Sequence, residues 1–469
     1  MAKLTPDKKH VVIIGGGLTG LSAAWQLQAK AGNQLEITIV EAGKQLGGKM
    51  QTKVISHNGA SFIIDAGPES FVTRKPEAWR LAQELGLAGE VINPGSETRN
   101  MYVLDQGVVK QIPLSPPAFI KSDLLSLKGK LRMFREPFIK ARRDDEDESL
   151  AAFVTRRLGQ EALEKMLGPV LSGIYNTNPE TQSIMVTSPV MREMEKEYGG
   201  LVKGALGRMR KRKKGAAETN KPPQFITFSS GAQVMIDAIE NQFNGVVIKG
   251  TRALNISNSE NNFTVKLSNK QSLSADAVVL AAPANHSALL LQQSVPEAAA
   301  LMKQIVHKNI GTASLIFRSD AIALPFQING LMIPRREKRK IDAITWTTNK
   351  PMPRAPEGYE MIRVFFGGGD PDLVNLTDKQ ILIAILSELK DILNIDAQPL
   401  NSAIFTWPNG FPQAFVGHLD LVNEIETKLP TGIWAAGSSY RGIGVPDCIR
   451  QGQHAANKVI SYLNISNKE

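Results

Sequence analysis

Residues 10–20, HVVIIGGGLTG, constrain this chain more than any other stretch. Val11-Val12-Ile13-Ile14 is a β-branched apolar run, too short to bury itself as a helix, and it predicts a buried strand. The run stops at Gly15-Gly16-Gly17, and Leu18, Leu21, Ala24, Trp25 and Leu27 then carry a helical pattern. Gly15, Gly17 and Gly20 fill the three glycine places of G-x-G-x-x-G, with Gly16, Leu18 and Thr19 between them. Gly15 permits a tight turn, Gly17 lets backbone N–H groups approach a pyrophosphate, and Gly20 lets helix and strand pack closely. The helix N-terminus then offers unpaired donors and a partial positive charge to an anion. Glycine-rich strand ends also occur as plain tight turns, so the context has to decide.

The next strand supplies that context. Glu36-Ile37-Thr38-Ile39-Val40 is a strand pattern closed by Glu41, about 20 residues beyond the last glycine. A carboxylate there can accept hydrogen bonds from the ribose of an adenine dinucleotide. It would repel a 2′-phosphate, which argues against an NADP-type ligand. NAD and FAD both remain open at this point.

The chain has 469 residues, enough for about two to four structural units with ample core. A hydrophobic content of 42% and a charged content of 21% are those of an ordinary globular protein. A single cysteine, Cys448, excludes an internal disulfide framework and fits a reducing cytosol. The opening MAKLTPDKKH has no apolar stretch, so no secretory signal is expected, and no apolar run is long enough to span a membrane.

Net charge is +10, and residues 208–214 concentrate it, with six basic residues in seven. Glycines flank that run and Pro222-Pro223 follow, so a solvated or disordered basic linker near 203–222 is expected. Nucleic acid is not expected as a partner, because no aromatic residues are interleaved and no reading motif is present. The acidic run 144–148 is expected to support the positive end of a helix over 149–158. Phe119, Leu124, Leu125, Leu127, Met133, Phe134 and Phe138 sit among basic residues; this suits either a peripheral membrane contact or buried helix faces. The six histidines show no metal-ligand spacing and no G-x-S-x-G elbow exists, so no metal site and no serine nucleophile are expected.

Further segments extend the dinucleotide reading. Ala42 opens the loop to Gly47-Gly48-Lys49, where glycines again allow close approach and Lys49 can meet an anion. Asp65-Ala66-Gly67-Pro68-Glu69-Ser70-Phe71 follows a strand-turn-strand pattern, and Arg74 and Lys75 come after it at what reads as a helix start. Helices are expected over 77–87, 160–167, 234–242, 379–393 and 450–463, with a helix–loop joint over 168–175 that reads GPVLSGIY. Strands are expected over 245–248, 251–256, 309–317, 341–347 and 361–366, and a hairpin-like pair over 263–267 and 275–280. Near the end come Phe405-Thr406-Trp407-Pro408, Pro412-Gln413, a strand ending at Gly437, and Gly442-Ile443-Gly444-Val445-Pro446-Asp447 opening the last helix.

Taken together these segments resemble the FAD-dependent amine oxidases, phytoene desaturases and protoporphyrinogen oxidases. Over nearly the whole chain the similarity is greatest to the soluble porphyrinogen oxidases of bacterial haem synthesis. The resemblance implies an α/β fold. A Rossmann-type FAD-binding domain would be assembled from discontinuous segments (1–76, 221–300 and 405–469). A mixed-sheet substrate domain (77–100 and 301–404) and a mainly helical subdomain (101–220) would complete it.

The resemblance also implies FAD as cofactor. It would be held without a covalent bond, since residues 405–416 contain no cysteine. Gly48 and Lys49 would meet the cofactor's phosphates. Gln45 departs from the arginine usual at its place. Gly67, Pro68, Glu69 and Ser70 would pass beside the flavin ring, and Ala253, where valine is common, would touch adenine through its backbone. Trp407 would sit near the flavin unless it is simply core. Gly437 with Ile443, Gly444 and Val445 would face the N1–C2=O edge of the flavin.

Ile174 and Tyr175 would line the substrate cavity. Position and charge make Lys75 and Arg441 candidates for substrate carboxylates. No catalytic side chain is named, because the flavin accepts the hydride. The implied activity is oxidation of coproporphyrinogen III to coproporphyrin III by dioxygen, with hydrogen peroxide formed, in the cytoplasm. Protoporphyrinogen IX oxidation, a non-covalent flavin amine oxidase and a non-enzymatic tetrapyrrole-binding flavoprotein are the alternatives. The sequence decides neither the oligomeric state nor a membrane contact.

Overall fold

The structure is a computed structural model that describes residues 8–95, 100–214, 224–259, 262–323 and 327–465. The readings for residues 1–7 and for the end of the basic segment with Pro222-Pro223 lie outside the described residues.

The apolar run behind the first glycine becomes strand Lys9–Ile14, the centre of a five-stranded parallel sheet. Leu35–Val40 and Val246–Ile248 lie on one side of it, Ala277–Leu280 and Ile433–Ala435 on the other. The central strand is buried on both faces, as its unbroken apolar sequence requires. Val11 and Ile13 face a core with Leu21 and Leu27 of helix Leu18–Ala31, Ile236 of helix Val234–Gln242, and Ile449 and Val459 of helix Val445–Tyr462. Val12 and Ile14 face the opposite core, with Val265, Leu291 and Met302. Alternation along one strand thus feeds two cores.

A seven-stranded mixed sheet stands beside this unit, in the order Asn401–Pro412, His307–Arg318, Tyr359–Phe366, Ile341–Trp346, Gly330–Met332, Met101–Asp105 and Val108–Gln111. Helix Asp378–Leu393 covers one face, entered through a capping box of Thr377 and Gln380. Leu315, Ile344, Ile362 and Val364 pack under it with Ile381, Ile385 and Leu389. The intervening residues Thr312, Ala343, Thr345, Arg363 and Phe365 emerge on the other face, toward a cleft.

Several expectations are corrected here. Residues 101–111 are two strands of the mixed sheet and not part of a helical subdomain; their alternating apolar residues find a sheet edge to complete. Residues 401–412 form one long edge strand of the same sheet, so 405–412 belong to it and not to the nucleotide-binding unit. Phe263–Leu267 pairs with Ser272–Ala275, while Ala277–Leu280 leaves that hairpin to join the parallel sheet. Gly168–Tyr175 is a helix that continues from a π-helical turn at Leu163–Leu167, not a loop.

The basic run is also ordered: Leu201–Lys214 is a helix on which Arg208 pairs with Glu193 at 2.9 Å and Lys211 with Glu197 at 2.7 Å. The acids of 144–148 do not simply face a helix dipole. Arg142 pairs with Asp144 at 2.8 Å, Arg156 with Glu148 at 2.7 Å, and Arg192 with Asp144 at 3.2 Å.

Candidate functional site

The chain turns behind Ile14 at Gly15, whose φ of +112° favours glycine and whose missing Cβ would press on the Ala281 backbone at 2.9 Å. A Cβ on Gly20 would collide with the Gly15 carbonyl oxygen, so the third glycine sets the distance between strand and helix. Gly17 differs, because a Cβ there would meet nothing within 4 Å. It caps helix Leu18–Ala31 without a side-chain acceptor, and the first turn opens onto a cleft.

Glu41 is oriented by backbone donors. Its Oε2 accepts the Gly16 N–H at 2.7 Å and its Oε1 the Gly43 N–H at 2.6 Å. Each oxygen keeps a lone pair for another donor, such as a ribose hydroxyl. Gly47 donates to the Gly16 carbonyl at 2.8 Å, which lays the Gly47-Gly48-Lys49 turn against the first glycine loop. Lys49 lines the cleft, and burial pushes its ammonium pKa down. Among the described residues no carboxylate pairs with it. A sheltered, uncompensated cation suits an anionic ligand.

The 65–71 turn lies directly on this segment, since a Cβ on Gly67 would collide with the Lys49 carbonyl oxygen. Thr312 Oγ1 donates to the Ala66 carbonyl at 2.8 Å, and Arg363 Nη2 donates to the same oxygen at 2.7 Å and to the Gly67 carbonyl. Glu69 faces Lys350 at 2.9 Å and Arg363 at 3.2 Å. Burial alone would raise its pKa, but the two cations hold it at about 2. Its carboxylate is therefore engaged by the mixed sheet, and only the rest of the turn is open to a ligand. At the C-terminal end, Gly437 has φ of +131°, and Gly444 caps helix Val445–Tyr462, with Pro446 in the first turn.

These pieces line one cleft of about 1450 Å³. It runs along Gly15, Gly17, Leu18, Thr19, Glu41, Ala42, Gly48, Lys49, Gly67, Pro68, Glu69, Ser70 and Ala253, and takes in Trp407, Gly437, Ile443, Gly444 and Val445. Lys75, Ile174 and Tyr175 also line it. Gly16 and Gly20 stand behind the wall as packing and turn residues. Trp407 stacks on Phe405 at 6.3 Å between ring centroids and presents its other side to the cleft. The wall also includes the apolar Val190, Met191, Met332, Phe365 and Phe411. Tyr175 donates its hydroxyl to the Thr187 carbonyl at 2.7 Å, and burial pushes its pKa up to about 12.

Two expected cations behave differently. Lys75 reaches the cleft, but both Asp447 oxygens accept from its ammonium at 2.7 Å, and Arg450 adds a 2.6 Å contact to the same carboxylate. Arg441 is not brought to the cleft: its guanidinium bonds Glu426 at 3.0 Å and Asn423 at 2.7 Å. Helix His418–Lys428 offers these acceptors close by, and nothing in the local sequence around Arg441 signals them. Sequence reasoning missed Lys350, Arg363, Asp342, Met191 and Met332. For Arg363 the alternation within its strand is the one available signal, because it sets the residue opposite Ile362 and Val364. Asp342 has the parity of the core residues Ile344 and Trp346, and the register shift beside it is not visible in the sequence.

Comparison with known proteins follows the same outline. Residues 18–460 match the family of flavin containing amine oxidoreductases. Coproporphyrinogen III oxidase of Bacillus subtilis is 33% identical, over 98% of this chain and 100% of the relative. Its Staphylococcus aureus namesake is 30% identical, over 97% and 100%. Protoporphyrinogen oxidase 2 of Arabidopsis thaliana is 24% identical, over 97% and 94%. A putrescine oxidase of known structure, 16% identical with a TM-score of 0.67, shares the fold over 97% of this chain and 99% of its own. The match spans most of the chain, and the chain belongs to the flavin containing amine oxidoreductase family.

Proposed function

We propose that this protein is a cytoplasmic, FAD-dependent oxidase that converts coproporphyrinogen III to coproporphyrin III. Six electrons and six protons leave the substrate, and three molecules of dioxygen become three of hydrogen peroxide. The observation that carries this reading is full-length similarity to coproporphyrinogen III oxidases at 30–33% identity. The size of the cleft supports it. At about 1450 Å³ it exceeds the usual range for a single small ligand and leaves room for a dinucleotide together with a macrocycle.

The residues present fit the cofactor. The open first turn at Gly17 and the uncompensated Lys49 would hold the pyrophosphate, Glu41 the adenosine ribose, and the Gly444–Val445 helix start the electron-rich edge of the ring. When bound, the flavin supplies the hydride acceptor for each two-electron oxidation. The chain's own residues bind and orient. Apolar Met191, Met332, Phe365 and Phe411 accept the flat faces of the substrate and exclude water. Tyr175, with its proton retained and committed to Thr187, acts as a rigid wall and not as a base. Attachment is non-covalent in this reading. Cys448 sits in the first turn of the last helix, where burial pushes its thiol up to about 11 and leaves it protonated and unreactive.

Aerobic turnover of coproporphyrinogen III and protoporphyrinogen IX side by side, followed by porphyrin fluorescence, tests the assignment. Preferred use of coproporphyrinogen is expected. Equal or preferred use of protoporphyrinogen, which the 24% identical plant relative makes the second reading, would overturn it.

The same reading includes a peripheral membrane contact. Ile120, Leu127, Leu131, Phe134 and Phe138 are exposed, Phe138 by 88%, among Lys121, Lys128 and Lys130. Exposed apolar side chains interleaved with lysines suit an anionic lipid surface. No helix among the described residues is long and apolar enough to cross a membrane.

A further inference from the structure

The mixed sheet brings one more group of charges to the cleft. In the ladder between His307–Arg318 and Asn401–Pro412, Lys308 lies opposite Phe411 and Ile310 opposite Trp407. Directly opposed residues share a face of a sheet. Phe411, Ile310 and Trp407 all line the cleft; Lys308 lies just outside that lining, at the rim, across a register shift in the ladder. Arg335 comes to the same place from the loop after strand Gly330–Met332, where its Nη2 donates to the backbone and side-chain oxygens of Asn176 at 3.3 Å each. Asn176 in turn donates to the carbonyl of Asn309, the neighbour of Lys308, at 3.2 Å. It directly follows helix Gly168–Tyr175, whose terminal carbonyls favour cations.

Asp342 is the acid of the group. It lines the cleft, and its two oxygens accept the N–H groups of Gly368 at 2.8 Å and Gly369 at 2.7 Å. Among the described residues no carboxylate lies within ion-pair distance of Lys308 or Arg335, so two cations stand against one acid that is already engaged. Elsewhere along the wall, Lys75 is matched by Asp447, and Lys350 and Arg363 by Glu69. The positive charge at this end adds to that of Lys49 and Arg74, which also line the cleft and form no ion pair among the described residues.

We propose that Lys308 and Arg335 form a carboxylate-binding subsite beside Asn176 that selects a tetracarboxylate porphyrinogen over a dicarboxylate one. The inference rests on the reading of the cleft as a porphyrinogen site. Coproporphyrinogen carries propionates where protoporphyrinogen carries two vinyl groups, and only the former can extend a carboxylate to each cationic group around the cleft. Lys308 is half-buried and Arg335 exposed, so a charge-assisted bond gives about tenfold in affinity at the first and less at the second. Burial and the Arg335 charge push the Lys308 pKa down to about 8, with Asp342 acting the other way, so Lys308 loses its charge within an accessible range. Substrate attraction is full below that pH and falls as pH rises through it.

The test uses the flavin-loaded enzyme and its Lys308→Met, Lys308→Arg and Arg335→Met variants, with KM and kcat measured separately for both porphyrinogens. Lys308→Met is expected to raise the coproporphyrinogen KM by about tenfold and Arg335→Met by about threefold, with kcat and the protoporphyrinogen KM within about twofold of wild type. Lys308→Arg retains the low KM and removes its rise between about pH 7 and 9, since guanidinium does not titrate there. Equal KM changes for both substrates, or none, would overturn the subsite while wild-type turnover of coproporphyrinogen still upholds the function. Failure of wild type to oxidise coproporphyrinogen would overturn both. If the methionine variants lose flavin or thermal stability, the pH profile of wild type against Lys308→Arg decides: identical profiles reject the subsite.

Discussion

The glycines of the first loop separate two roles that one motif combines. Gly20 is a packing glycine, whose Cβ would collide with the Gly15 carbonyl oxygen, whereas a Cβ on Gly17 would meet only the cleft. Gly20→Ala should therefore destabilise the cofactor-free protein by about 2 kcal/mol or more through overpacking. Gly17→Ala should cost no more than about 1 kcal/mol, the loss of a tolerated cap, yet strip the protein of flavin. Thermal melts of the apoprotein and the flavin-to-protein ratio after purification read the two effects apart. A Gly17→Ala variant that keeps full flavin content would refute the phosphate role. At this scale the turn role of Gly15 and the packing role of Gly20 were legible in the sequence, because each rests on the absence of a Cβ. The partners of Lys75 and Arg441 were not, because Asp447 and Glu426 reach them only through folding.

Among the elements, the helices between residues 127 and 214 depend on a fully buried ion pair. Glu136 and Arg157 are both completely buried, and Glu136 also accepts the Leu201 N–H at 2.7 Å and the Val202 N–H at 3.1 Å. One carboxylate thus caps helix Leu201–Lys214 and pairs with helix Leu150–Leu158. Glu136→Ala leaves the buried Arg157 guanidinium with only one carboxylate, Glu195 at 3.5 Å, and frees the Leu201 and Val202 N–H groups, and a loss of about 3 kcal/mol is expected. Joint replacement by Glu136→Leu and Arg157→Met should recover much of it, as seen in denaturant midpoints at constant m-value. A single-variant loss below about 1 kcal/mol would show that the pair does not hold these helices. The sequence signalled helices here by period, yet it suggested a solvated linker where Leu201–Lys214 forms. Charge density argues for solvation only until the counter-charges, Glu193 and Glu197 on the preceding helix, are known to face it.

On the scale of the whole molecule, the parallel sheet and the mixed sheet contribute opposite walls of one cleft, and the exposed apolar residues near 120–138 lie outside that joint structure. If they contact lipid, the protein should cosediment with vesicles containing anionic lipid. The pair Leu127→Ser and Phe138→Ser should reduce binding by roughly tenfold or more, while turnover of a detergent-free substrate is unchanged. Vesicle binding that is absent, or unaffected by both substitutions, would remove the membrane contact.

By itself the sequence determined the first strand, turn and helix, the acid Glu41 at the end of the next strand, and the outline of an α/β flavoprotein. Those features are local: a period of two or 3.6 residues, a glycine where no side chain fits, and an acid at a strand end. Only the tertiary structure decided that residues 101–111 and 401–412 complete a single mixed sheet, that Glu69 is engaged by Lys350 and Arg363, and that Arg335 and Asn309 meet at Asn176. Each of these depends on strand order and on which charges burial brings together across a hundred or more residues. Period and composition carry no information about such pairings, since the same strand pattern is satisfied by any neighbour that completes its hydrogen bonds.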